Sequence, residues 1–183
     1  VDALLATKRR PKFVKEWTMA DLARDTDDLA GRSIMRGMKA FMNARCNQCH
    51  AVNGHGATIG PDLTKVAERY KQGPKLLKQI LEPSSELNEK YRTYQVFMDD
   101  GRVITGTLLK EDETTVHLIA NLLNPTAITV IRKSKIEEKV ASKVSAMPER
   151  MLDALTKDEI LDLLAFLKAG GYKLPDGLKK GHH

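Results

Sequence analysis

Cys46-Asn47-Gln48-Cys49-His50 sets two thiols and an imidazole within five residues, and no other feature of the chain constrains it so tightly. The C-x-x-C-H run is the attachment sequence of a covalently bound c-type haem. Two thiols separated by two residues are close enough to add across the two vinyl groups of one porphyrin. The histidine that follows is then held under the iron as its proximal ligand. Two other chemistries use paired cysteines. A zinc knuckle needs two further ligands, but the chain has two cysteines in all, and His50 and His55 lie too near them for C-x2-C…H-x3-5-H spacing. A thioredoxin-type pair opens a helix after a strand, whereas these cysteines close a helical pattern. The spacing favours haem.

The 183 residues suffice for one good-sized domain, or for one domain carrying an insertion. Aromatic residues make up 5%, which suits a core partly filled by a large apolar cofactor. The motif consumes both cysteines, so there is no disulfide framework, and no apolar run reaches the length of a membrane span. Haem c is attached outside the cytoplasm in bacteria, so a periplasmic or otherwise extracytoplasmic location is expected. The chain starts at Val1, consistent with a processed or excised fragment, and Gly181-His182-His183 resembles a purification-tag remnant that carries no function. A net charge of +6 suits an acidic partner, an anionic membrane or nucleic acid. No nucleic-acid-binding motif accompanies Lys8-Arg9-Arg10-Pro11-Lys12, which reads as a solvated linker.

Residues 1–30 read as a polar extension with one short helix after Thr18, pinned by Trp17. Ile34, Gly37, Met38, Phe41 and Met42 then recur at helical spacing and lead to Cys46, with Met35, Met38 and Met42 expected in the core. Gly37 in mid-helix suggests close contact with another helix. A glycine-rich loop follows over residues 53–61, then short amphipathic helices near 64–70 and 74–81. Residues 91–140 alternate as strands, with turns at Asp100-Gly101, Glu111-Asp112-Glu113 and Asn124-Pro125 and a bulge or bend at Gly106. They predict a β-meander of four or five strands, or a small β-barrel, with His117 as an ordinary strand residue. Helical character is expected again from Pro148. Thr156-Lys157-Asp158-Glu159 reads as a capping box, Leu155 and Ile160 as its hydrophobic staple, and Ile160, Leu163, Leu164 and Leu167 as a buried stripe that ends at Gly170-Gly171. The fold class is α+β: a mainly α unit over residues 31–171, split by a β insertion at 91–140, with a polar tail at 172–183.

Helix, C-x-x-C-H, glycine-rich loop and a late methionine before an amphipathic helix together resemble a small His/Met cytochrome c, over residues 31–90 and 141–171. Gly37, Phe41 and Phe166 match the glycine and aromatics at which that family's first and last helices cross. Gly60-Pro61-Asp62-Leu63 is similar to the family segment whose proline carbonyl accepts a hydrogen bond from the proximal histidine and whose leucine packs on the haem. The resemblance implies that Pro61 fixes the tautomer of His50 and that Leu63 contacts the cofactor. It also implies a distal methionine. Met147 is the choice, because Pro148 biases it toward an extended backbone from which its thioether can project; Met151 and then Met98 are rivals. The full pattern, with CNQCH, GPDLT, LLKQILEPS, Tyr91, Ser145-Ala146-Met147-Pro148 and LTKDEILDLLAFL, resembles the haem-binding domain at the C-terminal end of large dehydrogenase-like proteins of planctomycetes and verrucomicrobia. That likeness implies a sugar-dehydrogenase-like domain upstream.

The expected role is therefore one-electron transfer by a single covalent haem c, ligated by His50 and Met147, in a domain that is not itself an enzyme. An acidic redox protein or domain is the expected partner, met by Lys65, Arg69, Lys71, Lys75 and Lys78 and by Arg132, Lys133, Lys135, Lys139 and Lys143. Two other functions fit the same residues. One is a haem sensor or peroxidase-like enzyme with a labile distal ligand, and the other is a docking module formed by the β insertion.

Overall fold

The structure, a computed structural model, describes residues 12–121, 124 and 126–171. The basic run before Lys12, Pro125 of the expected third turn and the terminal Gly181-His182-His183 lie outside these residues.

Residues 12–16 are exposed but tied to the domain, with Val14 N–H donating to the Asp153 carbonyl at 2.7 Å. Thr18 N–H donates to the Asp21 carboxylate at 3.0 Å and starts helix α1, Met19–Leu22. Trp17 Nε1 donates to the Leu155 carbonyl at 3.0 Å, and Leu22 is completely buried. Helix α2, Ile34–Asn43, is capped by Ser33, whose hydroxyl accepts the Arg36 N–H at 3.2 Å. Gly37, Ala40 and Phe41 form its buried stripe, and Met38 packs beside them. Met35 and Met42, expected in the core, are about half exposed, at 50% and 52%. At 100° per residue they fall about 140–160° around the helix from Gly37, off the packed stripe.

The segment after Cys46 forms a two-residue hairpin of β1, Ala51–Val52, and β2, His55–Gly56, which the glycine-rich composition did not announce. Helices α3, Val66–Arg69, and α4, Gly73–Leu81, follow. Pro74 at the start of α4 suits a first-turn position, where no amide donor is needed.

Five antiparallel strands come next: β3 (Thr93–Met98), β4 (Val103–Glu111), β5 (Thr115–Ile119), β6 (Ile128–Arg132) and β7 (Ile136–Ala141). The order across the sheet is β6-β5-β4-β3-β7. Strands β6 and β7 thus sit on opposite edges although only the 3-10 turn Lys133–Lys135 separates them. Flat edges would lie about 19 Å apart, while a 3-10 turn of this length spans about 8 Å; the sheet must therefore be strongly coiled. Val96, Met98, Val116, Leu118 and Ile131 form its own core. On β4 the inward residues are Ile104 and Leu108, while Val103 and Thr105 face water. The bulge lies between Leu108 and Lys110, two residues beyond the expected Gly106. At Gly106 a side chain would come 2.8 Å from the Ile119 carbonyl oxygen, so glycine there serves a close approach of strands.

Helix α5, Lys157–Lys168, begins at the capping box: Thr156 N–H donates to Glu159 at 2.8 Å and Glu159 N–H to the Thr156 hydroxyl at 3.3 Å. Helical character does not return at Pro148, because residues 149–155 form bends and turns, with Arg150 at φ +65°. Residues 160–167 are all buried, so α5 is the axis of the helical core rather than a helix with one apolar stripe. It crosses α2 at Gly37, where a Cβ atom would overlap the Asp162 carbonyl oxygen and come 2.6 Å from Phe166 Cβ. The Phe41 and Phe166 rings meet at a centroid distance of 5.5 Å. Asp162, 1% exposed on this central helix, accepts Ser33 N–H at 3.0 Å and Arg36 Nε at 2.7 Å.

Candidate haem cleft

The end of α2 sets the site. Arg45 takes a left-handed backbone (φ +60°) that stops the helix and redirects the chain. The 3-10 turn Cys46–Gln48 follows, with Cys49 and His50 N–H groups both donating to the Cys46 carbonyl, at 3.1 and 2.9 Å. In one helical turn, positions i, i+3 and i+4 share a side, so Cys46, Cys49 and His50 look the same way. Local spacing alone produces this convergence.

The loop after β2 folds back under the turn. Ala57 N–H donates to Asn47 and Gly60 N–H to Cys49, and Leu63 N–H donates to Ala51. Gly60 is pressed against the imidazole: a Cβ there would lie 2.7 Å from His50 Cε1. His50 Nδ1 donates to the Pro61 carbonyl at 2.8 Å. That bond keeps the proton on Nδ1 and leaves the Nε2 lone pair available to a metal. Burial lowers the His50 pKa, opposed by the bond to Pro61, and the neutral ring is the ligating form. Burial also pushes the Cys46 thiol up to about 11 and raises that of Cys49.

These groups open into one large cleft. Phe41, Leu76, Ile80, Leu163 and Leu167 give it apolar walls from α2, α4 and α5. Met147 lines it from the segment before α5, held by its N–H to Ser145 Oγ at 3.1 Å, while Ser145 N–H donates to Ser84 Oγ at 3.1 Å. All six residues singled out from the sequence, Cys46, Cys49, His50, Pro61, Leu63 and Met147, thus line a single cleft. Among the rival ligands Met151 also lines it, whereas Met98 is buried in the core of the sheet. His117 lies on β5, hydrogen-bonded to the Thr115 hydroxyl at 3.0 Å, and His55 is exposed on β2.

The donor set fits a c-type haem: two thiols, a neutral imidazole and a thioether around an apolar cavity. It does not fit zinc, since among the described residues no group of three or more His, Cys, Asp or Glu side chains is arranged to hold a metal ion. Sequence reasoning missed the part played by the sheet. Arg92, Thr93 and Thr107 line the cleft from β4 and the start of β3, and Arg92 Nε and Thr93 Oγ1 are buried with no hydrogen-bond partner. Strand periodicity carries no signal for such atoms.

Residues 34–114 match the family model described as cytochrome c. The matched stretch runs from the first residue of α2 to the turn between β4 and β5, so it includes the C-x-x-C-H turn and His50 but stops before Met147 and α5. No curated protein matches the chain. The match supports a c-type cytochrome domain and with it haem-based electron transfer. Among the described residues no helix is long and apolar enough to cross a membrane.

Proposed function

We propose that this chain is an electron-transfer domain carrying one covalent haem c, attached at Cys46 and Cys49 and ligated by His50 and Met147. The observation that carries the reading is the shared cleft: two thiols, an imidazole with Nδ1 tied to Pro61, and a loop methionine all line one apolar cavity. When bound, haem c supplies one-electron chemistry by alternating between ferric and ferrous iron. Around it the chain orients and tunes. Pro61 fixes the His50 tautomer, Leu63 and the walls from α2, α4 and α5 keep water from the cofactor, and the soft Met147 sulfur favours the reduced state over what a second histidine would give. With His50 and Met147 both held for the metal, oxygen or peroxide would find no open site, which is why a carrier is favoured over an enzyme.

In this reading residues 31–171 form the haem domain and residues 91–140 a β insertion within it. The pattern's likeness to C-terminal domains of large dehydrogenase-like proteins makes an upstream dehydrogenase a candidate electron donor, and haem c attachment argues for an extracytoplasmic location.

Acid–acetone extraction of the denatured protein is the test. Colour should remain with the polypeptide, and its mass should exceed that of the bare chain by one haem. Extractable haem, or an unmodified polypeptide with bound zinc, would overturn the proposal. Rapid carbon monoxide binding by the ferrous protein would instead favour a sensor or peroxidase-like enzyme with a labile distal ligand.

A further inference from the structure

The chain between β7 and α5 carries Met147 yet forms neither helix nor strand, so its place depends on what it is tied to. Ahead of Met147 the tie is Ser145 N–H to Ser84 Oγ. Behind Met147, four polar contacts join the segment to residues 14–17. Val14 and Lys15 N–H both donate to the Asp153 carbonyl, at 2.7 and 3.2 Å, and Trp17 Nε1 donates to the Leu155 carbonyl at 3.0 Å. The Arg150 guanidinium reaches Glu16 at 3.3 Å and also Asp153 at 2.7 Å. Arg150 itself holds φ +65°, a backbone conformation that persists in a side-chain-bearing residue only where the surroundings enforce it. Trp17 and Met147 both pack on the helical core, in which Leu152 and Leu155 are buried.

We propose that residues 14–17 are a strap that positions the distal ligand: Trp17 and its neighbours hold the turn behind Met147 and so set how often its thioether leaves the iron. The inference rests on the His50/Met147 reading above. Met147 stands two residues after Ser145 and three before Arg150, so the thioether is carried between two anchored points of an otherwise irregular chain. Three of the four strap contacts are accepted by backbone carbonyls, which fixes the path of the chain and not only a side chain. The Glu16–Arg150 pair is exposed and screened, so it adds little by itself. The partly buried indole bond and the two amide bonds carry the hold. The same extension also meets a wall of the cleft, where Gly73 N–H at the start of α4 donates to Asp27 at 3.3 Å and a Cβ on Gly73 would overlap the Thr26 carbonyl. Trp17 is therefore a positioning residue, acting on the ligand through the turn it holds.

The test uses the haem-loaded full chain and reads ligand opening directly. Ferric protein is mixed with imidazole by stopped flow; at high imidazole the observed rate levels off at the rate at which the methionine leaves the iron. Trp17→Phe keeps a ring but loses the Nε1 donor, and Val14→Pro removes one exposed amide donor. A net hydrogen bond shifts an equilibrium about 2–10-fold, and apparent affinity follows the open fraction. Each variant should therefore raise both the plateau rate and the imidazole affinity about 2–10-fold, with covalent haem retained. Lys157→Gln breaks the 2.8 Å Lys157–Asp25 pair, which ties the same extension to α5 instead, and should leave both values at wild type. Denaturant unfolding is measured on the same proteins. Strap variants that unfold more easily but open at the wild-type rate would make residues 14–17 a structural tie and refute the proposal while the ligand reading stands. Equal acceleration in Lys157→Gln would mean general loosening and refute it too. A wild-type ferric spectrum without the sulfur-to-iron charge-transfer band would overturn the Met147 reading itself, a failure visible before any variant is made.

Discussion

At the scale of single residues, the site depends on atoms rather than on residue classes. Of the seven methionines, two line the cleft, Met147 and Met151, and one of these is held by a hydrogen-bonded loop through Ser145 and Ser84. Met147→Ala should therefore abolish the weak red sulfur-to-ferric charge-transfer band, lower the reduction potential and open the iron to added ligands. Met98→Ala should leave the band unchanged, since Met98 is buried among sheet residues. Visible spectra of the two oxidised variants distinguish them; retention of the band in Met147→Ala with its loss in Met151→Ala would transfer the distal role to Met151. The Pro61 bond to His50 is equally atomic: it depends on a carbonyl, so what matters at position 61 is the backbone, and what matters at Gly60 is the absence of a side chain beside the ring.

Among the elements, the crossing of α2 and α5 governs the helical half. A side chain at position 37 has no room, since its Cβ would overlap the Asp162 carbonyl oxygen. Helix propensity by itself would make alanine about 1 kcal/mol better than glycine. Overpacking a close contact costs about 1–3 kcal/mol, and the helix axes can separate only by disturbing Phe41, Phe166 and the Asp162 bonds to Ser33 and Arg36. Gly37→Ala is thus expected to lower stability by up to about 2 kcal/mol, measured by denaturant unfolding of the haem-loaded protein. A stabilised variant would mean the crossing is loose. The crossing was legible in the sequence because a glycine inside a strong helical pattern has few other uses. Asp162 was not: an acidic residue within an apolar helix reads as its solvated face until the partner helix is in place.

For the molecule as a whole, charge distribution decides how a partner approaches. Lys65 and Arg69 line the cleft, and Lys71, Lys75 and Lys78 belong to the same stretch of chain. The second basic group is largely matched by carboxylates of its own sheet: Lys133 and Lys139 both pair with Glu111, and Lys135 pairs with Asp99. Such pairing shortens the reach of a field; in the first group Arg69 pairs with Glu86 and Lys78 with Glu82, which leaves Lys65, Lys71 and Lys75 as the cations that would steer the proposed acidic redox partner. Stopped-flow reduction by an acidic one-electron donor should slow as salt rises, and reversing Lys75 and Lys65 together should slow it several-fold at low salt, within the 10–10³-fold range of electrostatic steering. Reversing Lys135 and Lys12 should change it little. Rates indifferent to salt, or equal losses from both pairs, would remove the basic face from the docking process.

Sequence alone determined whatever depends on neighbours within a turn of chain. The C-x-x-C-H spacing converges because one helical turn brings i, i+3 and i+4 to one side. The Thr156 capping box, the Asp100-Gly101 hairpin with Gly101 at φ +81° and the Gly170-Gly171 stop are likewise local, set by side chains and backbone freedom a few residues apart. Tertiary structure decided the rest. Met35 and Met42 lost their places in the core to the geometry of one helix crossing. Asp162 became a buried acceptor through partners 126 and 129 positions away. Strand β7 came to lie beside β3 rather than β6, and Arg92 and Thr93 were brought into a cleft otherwise lined by helices and loops. Partners that distant leave no periodic trace in either segment. They are chosen by which apolar surfaces can be buried together once loops close, an energy held by the assembled chain and by no short stretch of it.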